Sequence, residues 1–181
     1  VREELIDNAP GWLRERVDAM VAGGATRRES VALGLAAVPG ETDVVLVHDG
    51  VRPFASSALV RRVADAARKG PVVPVLPVVD TVKRVDGEGR VMETLDRSTL
   101  RRVQTPQGFP TSVLRRVHAG AEASKAVATD DAALCEASGV TVRTVAGEIH
   151  NLKVTTGQDL AFARWLVASG RVRSEDHDAG G

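Results

Sequence analysis

Cysteine is almost absent: Cys135 is the single thiol in 181 residues, so no internal disulfide braces this chain. It sits in a helix-like stretch with no second thiol or histidine beside it, and a reducing cytoplasm is the expected compartment. Net charge is absent as well. Twenty-four Lys and Arg balance twenty-four Asp and Glu, so no overall field draws the surface to nucleic acid or to an anionic membrane. Any anion must therefore be held by a local cluster. No apolar run approaches the roughly 18–20 residues that cross a bilayer, and Val1-Arg2-Glu3-Glu4 does not read as a signal peptide. Neither a P-loop G-x-x-x-x-G-K-S/T nor a G-x-G-x-x-G occurs, and no Ser–His–Asp or zinc-ligand spacing stands out. Internal repeats and low-complexity blocks are missing too. What remains, 43% hydrophobic and 27% charged residues, is enough for one compact core.

The apolar spacing of Trp12, Leu13, Val17, Met20 and Val21 predicts an amphipathic helix over 10–21, closed by Gly23-Gly24. Residues 44–48, Val-Val-Leu-Val-His, read as a strand buried on both faces and stopping at Asp49-Gly50. Residues 72–76 read as a second strand, with its prolines pointing to an edge or irregular position. Between them Ser56-Ser57 offers an N-cap, and Leu59, Val60, Val63 and Ala67 line one helix face. Strands joined through such a helix run parallel. Alternation into and out of Asp86-Gly87-Glu88-Gly89 predicts a hairpin over 81–95, polar on both sides, which needs a partner surface and is a candidate dimerisation arm. Helices follow at 110–125, 130–138 and 157–169, the last capped near Thr156, with a strand at 141–145. The expected fold is α/β, an open and mostly parallel Rossmann-like sheet over residues 1–173 with the arm at about 80–97. A loose polar tail follows at 174–181.

In such a sheet, ligands collect beyond the carboxyl ends of the strands, which places the site around residue 49. Asp49 either binds a divalent ion that bridges substrate phosphates or simply caps the Asp-Gly-Val-Arg-Pro turn. His48 points to the opposite face and reads as a satisfied structural histidine. Arg52, Lys83, Arg97 and Lys153 with Thr155 could each pair with a phosphate, or be ordinary solvated groups. Thr129-Asp130-Asp131 opens a helix, where two carboxylates would repel a phosphate unless they turn away. Gly23-Gly24 with Arg27 and Ser30 is either a loop of close backbone approach or a helix end.

Taken together, the residues resemble one family. Gly23-Gly24-x-x-Arg27-x-x-Ser30-Val31, His48-Asp49-Gly50-Val51-Arg52-Pro53-Phe54, Asp80-Thr81-Val82-Lys83, Gln104-Thr105-Pro106-Gln107-x-Phe109, Thr129-Asp130-Asp131-Ala132 and Asn151-Leu152-Lys153-Val154-Thr155 stand in its order and spacing. The chain resembles the 2-C-methyl-D-erythritol 4-phosphate cytidylyltransferases of the methylerythritol phosphate route to isoprenoids, from about residue 21 to 167. The resemblance implies transfer of a cytidylyl group from CTP to methylerythritol phosphate with Mg²⁺. It implies Asp49 as metal ligand and Lys153 with Asp49 as catalytic groups. Gly23, Gly24, Ser30 and Gly50 would contact the nucleotide. Arg52, Thr81, Arg97, Thr105, Thr129 and Lys153 would surround the sugar-alcohol phosphate, some of them supplied by the arm of a second subunit in a homodimer.

The family opens with a strand and a glycine-rich loop bearing an arginine and a Pro-Lys pair, and these 181 residues contain neither. The expectation is that they transfer cytidylyl groups poorly or not at all on their own, being either part of a longer protein that supplies the loop or a true truncation. Alternatives are a relative acting on another polyol phosphate such as ribitol 5-phosphate, a non-catalytic dimer that binds a phosphate ligand, or a piece of a fusion with a cyclodiphosphate synthase.

Overall fold

The computed structural model describes residues 6–124 and 129–172, so the tail expected at 174–181 lies outside the described residues. The elements are α1 (Gly11–Arg14), α2 (Arg27–Ala36), β1 (Val44–Val47), α3 (Ser57–Ala67), β2 (Val72–Pro77), β3 (Val82–Val85), β4 (Val91–Leu95), β5 (Arg101–Val103), β6 (Gln107–Pro110), α4 (Thr111–Ser124), α5 (Asp131–Ala137), β7 (Arg143–Ala146) and α6 (Gly157–Ala168). They form a five-stranded sheet of order β1–β6–β2–β5, with β7 also paired to β2, and a separate β3–β4 hairpin. By packing the described residues gather into two units, residues 6–47, 64–72, 107–124 and 129–143, and residues 48–63, 73–106 and 144–172.

In the first unit β1 and the start of β2 both pair antiparallel with β6, Val45 facing Phe109 and Val72 facing Gly108. β1 and β2 therefore point the same way, as the strand–helix–strand reading requires. The inserted strand β6 was not legible, because Gln107-Gly-Phe-Pro is short and carries no alternation. Phe109, Leu114 and Cys135 are fully buried and pack with Leu35, Val117 and Leu134, drawing β6, α2, α4 and α5 into one core. Truncating Phe109 there would cost about 3–5 kcal/mol.

The second unit carries the hairpin and α6. α3, which the two units share, is capped by Ser56, whose Oγ accepts the Leu59 N–H at 3.0 Å. Leu59, Val63 and Ala67 are buried as predicted, but Val60 is 38% exposed. β2 is central rather than an edge. Of its two prolines, Pro74 is tolerated because it lies between the pairing of Val72 with β6 and that of Val75–Pro77 with β5, where no ladder N–H is demanded of it, and Pro77 ends the strand. The Pro74 carbonyl still accepts the Gln104 N–H at 2.8 Å.

The predicted helix over 10–21 is reduced to four residues. Trp12 is 63% exposed, so the apolar stripe has little to bury against, and a short helix without such packing is marginal. Gly23-Gly24 is consequently not a helix end. The hairpin forms as read, with its turn at Asp86–Gly89 and a bulge at Arg84/Val85. Val85, Val91 and Met92 are more than half exposed on it, so it is less polar than expected.

Candidate active site

The second unit builds its site on the turn that follows β1. The Arg52 N–H closes the turn on the Asp49 carbonyl at 2.9 Å. His48 spans it from the side: Nε2 lies 3.0 Å from the Arg52 carbonyl, and Nδ1 lies 2.9 Å from Thr105 Oγ1. The same Thr105 hydroxyl accepts the Asp49 N–H at 3.0 Å. Both ring nitrogens are engaged, so His48 is no metal ligand, as its alternation with Asp49 predicts.

Two cations converge on one oxygen of Asp49. Lys153 Nζ is 3.1 Å and Arg52 Nε 3.7 Å from Oδ2, and the carboxylate keeps 18% of its side-chain surface exposed. Lys153 reaches the turn because the Val154 N–H bonds the Val51 carbonyl at 2.8 Å. Arg52 is largely buried and donates through Nη1 to the Asn151 carbonyl at 2.9 Å. Burial pulls its guanidinium below the ordinary arginine value, with the Asp49 charge and hydrogen bond opposing. Arg52 Nε is buried 3.7 Å from Asp49 Oδ2, beyond a good hydrogen bond, so its pairing with Asp49 is mainly one of charge.

The bed beneath is polar and buried. Gln104 Nε2 donates to the Asn151 and Glu148 carbonyls at 2.9 and 2.8 Å, its Oε1 accepts the Glu148 N–H at 3.0 Å, and Asn151 Nδ2 donates to the Thr105 carbonyl at 2.8 Å. A Cβ at Gly147 would fall 2.4 Å from Gln104 Oε1, so only glycine lets the chain pass there. Sequence reading gave Gln104 and Asn151 no role. The usable signal was that large polar residues flank Thr105 and Lys153, where a buried side chain must find partners.

No cluster of three or more His, Cys, Asp or Glu able to hold a metal occurs among the described residues. Asp49 is a lone hard ligand. That donor set fits Mg²⁺, which keeps several waters and needs only one or two carboxylates when substrate phosphates supply the rest. Of the other residues read as substrate contacts, Thr81 and Arg97 are exposed beside the hairpin. Arg97 Nη1 turns to the Val79 carbonyl. Open space lies beside Gly50.

The first unit carries Gly23, Gly24, Ser30 and Thr129. The Gly24 N–H donates to Ser30 Oγ at 3.1 Å, beside a capping box in which Thr26 and Glu29 start α2. A Cβ on Gly24 would meet Glu29 Cβ at 2.3 Å, which explains the glycine. Thr129 is exposed, and Asp130 rather than Thr129 caps α5. The carboxylates that would repel a phosphate are turned to the protein. Asp130 accepts from the Ala133 N–H and from Gln107 Nε2, at 2.9 and 2.7 Å. Asp131 is buried against Arg27 Nη1 and His118 Nε2, at 2.7 and 2.9 Å. Burial alone pushes the Asp131 carboxyl up, but His118 and Arg27 together outweigh it and hold it below the usual range. Cys135 is no nucleophile, since burial pushes its thiol up to about 11.

Residues 5–169 match the family model described as 2-C-methyl-D-erythritol 4-phosphate cytidylyltransferase. The enzyme of that name from Rhodococcus jostii is 47% identical over 172 residues, covering 94% of this chain and 74% of its own length. The bifunctional enzyme IspD/IspF of Nitratidesulfovibrio vulgaris is 53% identical over 145 residues, 79% of this chain but only 36% of that protein. The chain thus spans little more than a third of this bifunctional relative. The crystal structure of the 2-C-methyl-D-erythritol 4-phosphate cytidylyltransferase from Thermus thermophilus superposes with a TM-score of 0.75 at 46% identity, covering 82% of this chain and 72% of that one.

Proposed function

Given that this chain belongs to the 2-C-methyl-D-erythritol 4-phosphate cytidylyltransferase family, we propose that the protein containing it transfers the cytidylyl group of CTP to methylerythritol phosphate. The observation that carries this is the convergence of Lys153 and Arg52 on one oxygen of Asp49 at the end of β1. A phosphate oxygen of the sugar alcohol attacks the α-phosphorus of CTP, a new P–O bond forms, the α–β bridging bond breaks, and pyrophosphate leaves with the electron pair. Such chemistry asks the protein for position and charge rather than covalent help.

Asp49 is the residue that would hold Mg²⁺, and the ion would neutralise charge on the nucleotide phosphates when bound. Lys153 and Arg52 orient the attacking phosphate and offset charge gathered at the reacting phosphoryl group. Lys153, half exposed at 49%, is able to exchange the Asp49 carboxylate for a substrate oxygen. Gly23, Gly24, Ser30 and Gly50 are assigned to the nucleotide, and Thr81, Arg97, Thr105 and Thr129 to the sugar-alcohol phosphate, on the family pattern. The exposed Val85, Val91 and Met92 support a homodimer joined through the hairpin, in which the second copy brings Thr81 and Arg97. Residues 1–173 would work as part of one cytidylyltransferase domain in the cytoplasm.

The test is a pyrophosphate-release assay of the full protein with CTP, Mg²⁺ and methylerythritol phosphate. Turnover that needs all three supports the proposal. Equal or better kcat/KM with ribitol 5-phosphate would move the substrate, and no turnover with either alcohol would remove the activity.

A further inference from the structure

We infer that His48 is a positioning residue for this transfer: through Thr105 and the Arg52 carbonyl it fixes the turn from which Asp49 and Arg52 project. The inference rests on the role proposed above for Asp49. A histidine that only fills space can satisfy its nitrogens anywhere. Here one partner, the Arg52 carbonyl, closes the site turn, and the other, the Thr105 hydroxyl, holds the Asp49 N–H at its start.

With one ring proton on His48, the direction of each bond in the relay follows from its partners. A carbonyl only accepts, so His48 Nε2 carries the proton that reaches Arg52 C=O. In the neutral ring Nδ1 then holds a lone pair, and the Thr105 O–H must donate to it. That leaves the hydroxyl's lone pairs to accept the Asp49 N–H. While the relay stands, the Thr105 O–H is committed to His48, so the hydroxyl turns to the sugar-alcohol phosphate only by exchanging that bond, and in the meantime it steadies Asp49 and His48. The Thr105 backbone is fixed in turn by Asn151 Nδ2 on its carbonyl, and Thr105 is 5% exposed. A turn tied at both ends keeps Asp49 Oδ2 between Lys153 and Arg52, where a displacement of about 1 Å is worth roughly a hundred-fold in rate.

The imidazole's two links can be cut separately in the full protein. His48→Phe keeps ring bulk and removes both. We expect kcat to fall by about 10- to 100-fold, with the dissociation constant of Mn²⁺ from the CTP-bound protein, read by electron paramagnetic resonance, raised about ten-fold. His48→Asn retains an acceptor near the Nδ1 position and His48→Gln a donor near Nε2. The Asn variant should keep more turnover and tighter Mn²⁺, because the acceptor side leads to Asp49. Thr105→Val should reproduce most of the loss, Thr105→Ser should recover most of it, and His48→Phe with Thr105→Val should lose clearly less than the two single losses combined, since they share one link. Wild-type kcat and Mn²⁺ affinity in His48→Phe, a Gln variant better than the Asn variant, or additive losses in the double variant would each overturn the inference. If His48→Phe does not fold, the Thr105 pair decides it alone: Val no different from Ser overturns it. Full activity in Asp49→Asn would instead sink the role of Asp49, and so separates the two failures.

Discussion

Asp49 and Asp131 each face an arginine and a second nitrogen cation or imidazole, and the difference between them separates a working carboxylate from a structural one. Asp131 is 1% exposed and in contact with Arg27 at 2.7 Å and His118 at 2.9 Å, hydrogen-bond distances on both oxygens. Asp49 is 18% exposed, and its cations lie at 3.1 and 3.7 Å on a single oxygen. The first pair repays its desolvation only through good geometry, so removing one partner strands the other. The second leaves a carboxylate beside solvent with cations able to turn to an incoming phosphate. Position on the strand end, not charge content, distinguishes them.

The sharpest way to break this contrast is to neutralise each carboxylate and ask what is lost. Asp49→Asn should lower kcat by at least about a thousand-fold, the scale of removing a charge-stabilising group from such a site. Fold stability should fall by about 1–3 kcal/mol, less than at the fully buried Asp131, because Lys153 is half exposed although Arg52 is largely buried. Pyrophosphate release and urea melts read the two effects independently. Turnover within ten-fold of wild type would place Asp49 with Asp131 as a structural group.

Asp131→Asn should do the reverse and destabilise the first unit by about 2–4 kcal/mol, since the buried His118 loses its carboxylate partner while Arg27, 38% exposed, keeps access to water. Cys135 supplies a local reporter: fully buried and with its thiol pushed up to about 11, it should resist alkylation at pH 8 in the native protein and react in the variant. Acid should mimic the substitution. A carboxyl held below its unfolded value of about 3.9 stabilises the fold above that pH, and the contribution is lost as pH falls through the lower native value. The contribution of the Asp131 carboxyl itself should therefore be flat from neutrality to about pH 5 and decline only below about pH 4. An Asp131→Asn protein that lacks this acid limb but is otherwise stable would show the cluster to be dispensable.

How far this contrast was legible in the sequence depends on what each residue had to answer to. The Asp49 strand end, the capped α3 and α6, and the hairpin could be read because each is decided locally, by a run of β-branched residues, a Ser or Thr followed by its helix, or a turn of Asp and Gly. Six motifs in register then named the family. The roles of Thr105, Gln104 and Asn151 were not readable, since their partners lie 44 to 57 positions away and only β2, β5 and the 147–153 loop bring them together. The helix over 10–21 failed for the complementary reason. Its periodicity was sound, but periodicity forms a helix only where the fold offers a face to cover, and Trp12 has little. Asp130 and Asp131 could be read as helix-cap carboxylates that spare a phosphate only if they turn away, but not which partners they turn to, since Gln107, Arg27 and His118 lie far off in the chain.

The hairpin extends the series to its exposed end. Met92→Asp on β4 places a charge on the apolar strip with Val91, and we expect the proposed dimer to weaken at least ten-fold on a sedimentation isotherm, about 1.4 kcal/mol. An unchanged isotherm would take the arm out of the interface.

Glu93 with Arg84 gives the smallest effect. The pair stands at 3.2 Å, yet the two side chains are 51% and 65% exposed, so water and salt screen the attraction and side-chain ordering opposes it. Glu93→Gln should change stability by no more than about 0.5 kcal/mol and lose even that at 1 M salt. Asp131, Asp49 and Glu93 would then rank in stability by burial, with only the middle one essential to turnover. A Glu93→Gln loss above about 1 kcal/mol, insensitive to salt but dependent on protein concentration, would mean that the arm's charges are covered by a second copy, and burial read from one chain would no longer order the three.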